Sequence, residues 1–147
     1  MEQYLNPQNI EDYNKKEFWE DAFQKYKANY DWYGKYDDFQ TYFAQYIKKS
    51  DRILMVGCGN STLGEKLLES QICIIVRYDH GYHNVLCVDY SESVIATMNK
   101  RKGGRKTLIY QVMDATNMTF ADEEFDVVID KIAYCSDDIR YVMDYID

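Results

Sequence analysis

The chain has 147 residues, 46% of them hydrophobic, which is material for one ordinary globular core and implies a single domain over 1–147. Its 25 acids against 17 Lys and Arg give a net charge of −8, and the longest basic cluster, NKRKGGRK at 99–106, is short. A nucleic-acid partner therefore lacks its electrostatic footprint, and a basic protein partner suits the surface better. The N-terminus is polar and acidic where a signal peptide needs a basic start and an apolar stretch, the longest aliphatic run is ICIIV, and four cysteines stand singly. Reduced thiols, no membrane partner and a cytoplasmic location are expected.

In chain order, Asn14 with Glu17 three residues later is a capping-box pattern, and Phe18, Trp19, Ala22, Phe23 and Tyr26 follow at helical spacing. DWYG at 31–34 breaks that helix. Asp37 with Gln40 opens a second, with Phe39, Phe43, Tyr46 and Ile47 on one side. These helices make residues 1–50 a helical N-terminal segment. From Arg52 onward short apolar runs alternate with helical stretches: RILMV, a helix over 61–69, NVLCVD, a helix over 91–102, TLIYQVMD and FDVVID. That alternation predicts an α/β fold, a parallel sheet with helices on both faces, and the continuous apolar character of ILMV and DVVI predicts strands buried on both sides. Near the C-terminus, Ile139, Val142, Met143 and Ile146 fall on one helical face.

The turn VGCGNS at 56–61 lies between the first strand and its helix. A pair of glycines there is compatible with a tight turn that binds nothing. A nicotinamide-type dinucleotide site wants a third glycine, but Thr62 stands where helix and strand would have to approach. What raises the turn above a bare turn is its company. The second strand ends on Asp89, which can accept from the vicinal hydroxyls of a ribose; the third ends on Asp114, placed for a purine amino group; the fourth ends on Asp130 and Lys131. One such acid reads as a helix cap. Three in succession after a glycine turn point to a ligand at the carboxyl edge of the sheet.

With these residues the sequence resembles the class I S-adenosylmethionine-dependent methyltransferases. YDWYGKYDDF, DRILMVGCGNS, NVLCVDYS and FDVVIDK look most like the methyltransferase-like family that includes the lysine methyltransferases of translation elongation factor 1-alpha. The resemblance implies a Rossmann-like fold and S-adenosyl-L-methionine as cofactor, with S-adenosyl-L-homocysteine as product. It implies that Trp19 and Trp32 line the cofactor pocket, with Phe23 standing where the family has a Tyr. Gly57 and Gly59 would form the turn approaching the cofactor, Asp89 and Tyr90 would hold the ribose and flank the adenine, Asp114 and Ala115 would meet the adenine edge, and Lys131 would stand at the far side. On periodicity alone, core packing explains both tryptophans. No catalytic side chain is assigned, because methyl transfer to an amine needs no nucleophile or metal of the enzyme.

The sequence departs from this pattern in three places. Gly57 and Asp89 lie 32 positions apart, where such units have about twenty, because SQICIIVRYDHGY intervenes. His80 and His83 in that insertion have HxxH spacing but no further convincing ligand beyond Asp79, so no metal site is expected. After Lys131 the chain runs IAYCSDDIRYVMDYID where the family has a Gly-Thr-Leu-Asp type turn. Third, four strands are legible where the family's sheet has seven, so the later strands are missing and the core over 51–147 is incomplete. An uncovered fourth strand invites pairing, and a homo-oligomer through the exposed sheet edge is expected. Two functions remain open: methyl transfer to a lysine of a protein substrate, such as a basic elongation factor, and a non-catalytic cofactor-binding or interaction module derived from such an enzyme. A nicotinamide-dependent reductase is disfavoured, since a Tyr-x-x-x-Lys proton relay is not recognisable.

Overall fold

A computed structural model of the chain describes residues 10–26, 28–31, 34–69 and 84–130. A 3-10 turn over Ile10–Asn14 leads into helix α1, Lys16–Lys25. The expected capping box at Asn14 does not form: Asn14 is inside the 3-10 turn, and Lys15, with extended backbone, takes the N-cap position without a side-chain bond. Helix α2, Tyr36–Tyr46, has Lys35 as its N-cap and so starts two residues earlier than a cap at Asp37 predicts. Its first turn is closed by Asp38, whose carboxylate accepts from the Lys35 N–H at 2.7 Å, while Asp37 offers only its carbonyl to the Gln40 side chain.

The alternating half forms as expected: β1 (Arg52–Val56), α3 (Leu63–Glu69), β2 (Asn84–Asp89), α4 (Glu92–Arg101), β3 (Leu108–Val112) and β4 (Val127–Asp130). Ser91 is the N-cap of α4, its hydroxyl accepting from the Val94 N–H at 3.3 Å. The four strands are all parallel, in the order β3-β2-β1-β4. Register pairs Val56 with both Val88 and Asp130, and Asp89 with Val112, so the carboxyl ends of the strands lie level. The insertion around Gln71–Tyr82, the histidines and the amphipathic C-terminal stretch lie outside the described residues.

Alternate strand residues divide the sheet into two faces. Ile53, Met55, Val85, Cys87, Leu108 and Tyr110 join Leu63 and Leu67 of α3 and Val94, Ile95 and Met98 of α4 in the main core, with Phe43 and Ile47 from α2 packed against it. Leu54, Val56 and Val88 form the opposite cluster, covered by Phe120, Phe125, Met113 and Ala115. Among the described residues, then, helices α3 and α4 cover one face and loop side chains pack on the other. Handedness is the reason. The crossovers β1-α3-β2 and β2-α4-β3 step the same way across the sheet, so right-handed connections put both helices on one side, whereas the return from β3 to β4 passes over the other. That return holds a 3-10 turn over Ala115–Asn117 and no α-helix.

The expectation of burial on both sides holds for β1 from Ile53 to Val56 and fails for β4, where Val128 is 57% exposed. Cys58 and Cys87 are free and buried, and burial pushes both thiols above the ordinary range, so they serve as inert core groups. None of the helices among the described residues is long and apolar enough to cross a membrane.

The open end of β4 is anchored by charge. Asp126 accepts from the Arg52 backbone N–H at 2.8 Å and from its Nε at 3.0 Å, and these bonds hold the carboxyl down at about 2 against an ordinary 3.8. A depressed carboxylate adds stability above its unfolded value and loses it as pH falls through the folded one. In an acid titration followed by circular dichroism, the chain should lose stability between about pH 4 and pH 2, and Asp126→Asn should flatten that limb; because the pair is solvent-exposed, the difference stays small.

Candidate functional site

The site is built around the turn that follows β1. Gly57 and Gly59 hold φ of 62° and 48°, a left-handed backbone that other residues adopt only with strain. Two bonds fix this turn against β2: the Cys58 N–H donates to the Val88 carbonyl at 3.0 Å and the Gly59 N–H to Asp89 at 2.9 Å, while Asp89 also accepts from the Ser91 N–H at 3.0 Å. Asp89 is only 6% exposed, and burial raises its pKa above the usual 3.8 although the two amides pull it down. An ionised carboxylate offers about four lone-pair positions, so the backbone amides leave capacity for a hydroxyl donor.

The N-terminal helix is docked on this turn. A Cβ at Gly59 would meet Cζ of Phe23 at 3.3 Å, so that ring lies directly on the turn. Trp19 stacks on Phe23 with ring centroids 5.8 Å apart, and its indole N–H donates to the Tyr13 carbonyl at 2.7 Å. From the same helix, Glu20 accepts from the Glu92 N–H at 2.6 Å, which places a carboxylate on the first turn of α4 two residues beyond Tyr90. Burial works against this carboxylate, but the Ser93 hydroxyl and the Glu92 and Ser93 amides outweigh it and hold its pKa below the ordinary value.

Asp114 ends the β3 segment as the N-cap of the 3-10 turn: one carboxylate oxygen accepts from both the N–H and the hydroxyl of Thr116, at 2.8 and 2.7 Å, and these bonds lower its pKa. The bland reading of this Asp as a cap is thus correct for one oxygen, and its exposed position leaves the other toward solvent. Trp19 stacks on Phe23, Phe23 meets Gly59, and Gly59 meets Asp89. Gly57 and Tyr90 are their immediate chain neighbours, while Asp114 and Ala115 follow the adjoining strand. Trp32 and Lys131 lie outside the described residues.

Several groups that shape the turn escape sequence reasoning. Asn60 receives the Tyr30 N–H at 3.0 Å and donates to the Ala28 carbonyl at 2.7 Å; Asp31 accepts from the Ser61 and Thr62 hydroxyls; Arg101 reaches the turn from the end of α4. Asp31 belongs to DWYG, which the sequence marks as a helix break and as part of the family resemblance but not for this polar contact, and Arg101 is one cation of NKRKGGRK and nothing in that run marks it.

A methyltransferase-domain family matches residues 54–140, more than half of the chain. The chain belongs to that family. Among curated proteins, this methyltransferase-family chain is 38% identical over 129 residues to the eEF1A lysine and N-terminal methyltransferase of Xenopus laevis, covering 86% of the chain and 17% of the relative. It is 31% identical over 121 residues to the EEF1A lysine methyltransferase 4 of Bos taurus, covering 81% of the chain and 44% of the relative. The chain thus spans 17% of the length of the first of these relatives and under half of the second. An S-adenosylmethionine-dependent methyltransferase from Mesorhizobium loti, of solved structure, aligns with a TM-score of 0.46 at 20% identity, over 63% of this chain and 38% of that one.

Proposed function

We propose that the chain binds S-adenosyl-L-methionine at the carboxyl edge of β1 and β2 and serves the transfer of its methyl group to a lysine of a protein substrate. One observation carries the reading: a buried Asp at the end of β2 holds the N–H of a left-handed glycine at the end of β1. That couples the place where backbone can approach a ligand to the carboxylate that can take ribose hydroxyls. The residues present fit the cofactor on this ground, with the turn at Gly57 and Gly59 bringing backbone to the carboxyl edge, Asp89 accepting from the ribose and Asp114 and Ala115 bordering the adenine. The cofactor supplies an activated methyl group. Protein residues supply orientation and exclusion of water, the contribution expected for a direct displacement by an amine.

The acceptor class follows the relatives, whose names specify elongation factor eEF1A lysine methylation, and the net charge of −8, which favours a basic protein over a phosphate backbone. A cytoplasmic location fits the same reading.

Calorimetric titration of S-adenosylhomocysteine into the purified chain tests the site without needing the acceptor; absence of binding defeats the proposal. Incorporation of labelled methyl groups into eEF1A then tests the reaction, and label in RNA with none in protein overturns the acceptor class. A second reading, cofactor binding without turnover, is favoured by one specific feature. On the face opposite α3 and α4, Val128 and Ile109 stand at the two ends of a register row through Leu54 and Leu86 and are 57% and 49% exposed. Such a row suits pairing with a second copy or another chain. Binding without methylation by this chain alone is the result that selects it, and light scattering at several concentrations decides the self-association.

A further inference from the structure

Arg101 is the last residue of α4, yet its guanidinium turns inward. Nε and Nη2 donate to the two Glu65 carboxylate oxygens at 2.5 and 3.1 Å, Nη1 donates to the Asn60 carbonyl at 3.0 Å and Nη2 to the Ser61 carbonyl at 2.5 Å. Nη1 also donates to the Asn29 side-chain oxygen. The same turn grips the N-terminal segment through its own side chains. Asn60 bonds the backbone of Tyr30 and Ala28, and the Ser61 and Thr62 hydroxyls donate to Asp31. One planar cation therefore joins α3, the glycine turn and residues 28–31. The turn it holds is continuous with Gly59, whose N–H is fixed to Asp89.

We propose that Arg101, with Asn60 and Asp31, positions the cofactor site: the guanidinium fixes the backbone of the glycine turn and docks residues 28–31 on it, so that affinity at Gly57 and Asp89 depends on a group acting through the Asn60 and Ser61 carbonyls. This rests on the cofactor reading above. A Lys at 101 keeps the charge opposite Glu65 but presents a single ammonium in place of a fork, and cannot hold two carbonyls, a carboxylate and an amide oxygen in one plane.

Arg101→Lys should weaken S-adenosylhomocysteine binding about tenfold by calorimetry, the loss expected for one or two hydrogen bonds. It should also speed tryptic cleavage between Lys25 and Lys35, a comparison that Lys leaves clean because the tryptic site at 101 is retained. Asp31→Asn should weaken binding too, and the double variant should lose less than the product of the two single losses, because both act on the same docked segment. If Arg101→Lys does not fold, the pair Arg101→Met with Glu65→Gln removes both charges together, avoids a buried unpaired carboxylate and is expected to show the same loss of affinity. Unchanged affinity in the folded variant, or full multiplicativity with Asp31→Asn, overturns the inference while the cofactor reading stands. An unsubstituted chain that does not bind S-adenosylhomocysteine overturns both.

Discussion

Asp89→Ala should weaken S-adenosylhomocysteine binding at least about tenfold, since two hydrogen bonds from ribose hydroxyls to a charged acceptor are worth on the order of 1 kcal/mol or more each. The substitution acts on the fold as well. Asp89 takes the N–H groups of Gly59 and Ser91, and Ala leaves both without their acceptor at a buried position, a loss of about 1–3 kcal/mol for each amide that water cannot reach. Asp89→Asn separates the two effects, because it keeps the shape and one carbonyl acceptor while removing the charge. Calorimetry should show the affinity loss in both variants and thermal melts a smaller stability loss in Asn than in Ala; unchanged affinity in either folded variant defeats the assignment of Asp89 to the ribose. The pH dependence has a defined sign. Burial raises the Asp89 pKa, so as pH falls this carboxylate takes up its proton before an ordinary one would, and affinity should decline from above pH 3.8. For stability the same shift works the other way from that of Asp126: the folded state favours the protonated acid, so the contribution of Asp89 to stability falls as pH rises from 3.8 through its raised value.

How far the sequence reached depends on the range of the interaction. β1, β2 and α4 were legible because each is a local pattern: a continuous apolar run ending on a glycine turn or an acid, or a helical stretch with Val94, Ile95 and Met98 on one side. The sequence also placed Asp89 beside the glycine turn, since parallel strands bring their carboxyl ends to one edge. Caps were less legible. Asn14–Glu17 and Asp37–Gln40 both carry the right residue types, but a 3-10 turn absorbs the first and Asp38 outcompetes the second, differences of one or two residues in backbone geometry that composition does not encode. Least legible was the polar network behind the turn. Glu65 to Arg101, Asn60 to Ala28 and Asp31 to Ser61 join residues 30 to 36 positions apart, and each side chain would be equally at home on a solvated face. The face on which each connection falls was not legible either: strand order and crossover handedness, which a hydrophobic pattern alone does not contain, decide it.

Gly57→Ala should abolish cofactor binding in calorimetry, and Gly103→Ala shows why the loss is not one of backbone strain alone. The two glycines share the same left-handed backbone, with φ of 62° and 59°. An L-residue with a Cβ pays about 1–2 kcal/mol to hold that conformation, so both variants should melt lower by similar amounts. Gly103 lies in the turn after α4, where a Cβ would meet nothing within 4 Å. Strain is therefore its whole penalty, and its affinity for S-adenosylhomocysteine should equal that of the unsubstituted chain. On the proposed cofactor reading the backbone of Gly57 has a second task, to let the ligand come close at the carboxyl end of β1, and an added methyl would occupy that approach. The pair thus separates conformational cost, common to both, from ligand approach, confined to one. A lower melting temperature in both variants with affinity lost only in Gly57→Ala is the expected result. Equal affinities in the two variants would show that ligand approach does not require the bare backbone of Gly57.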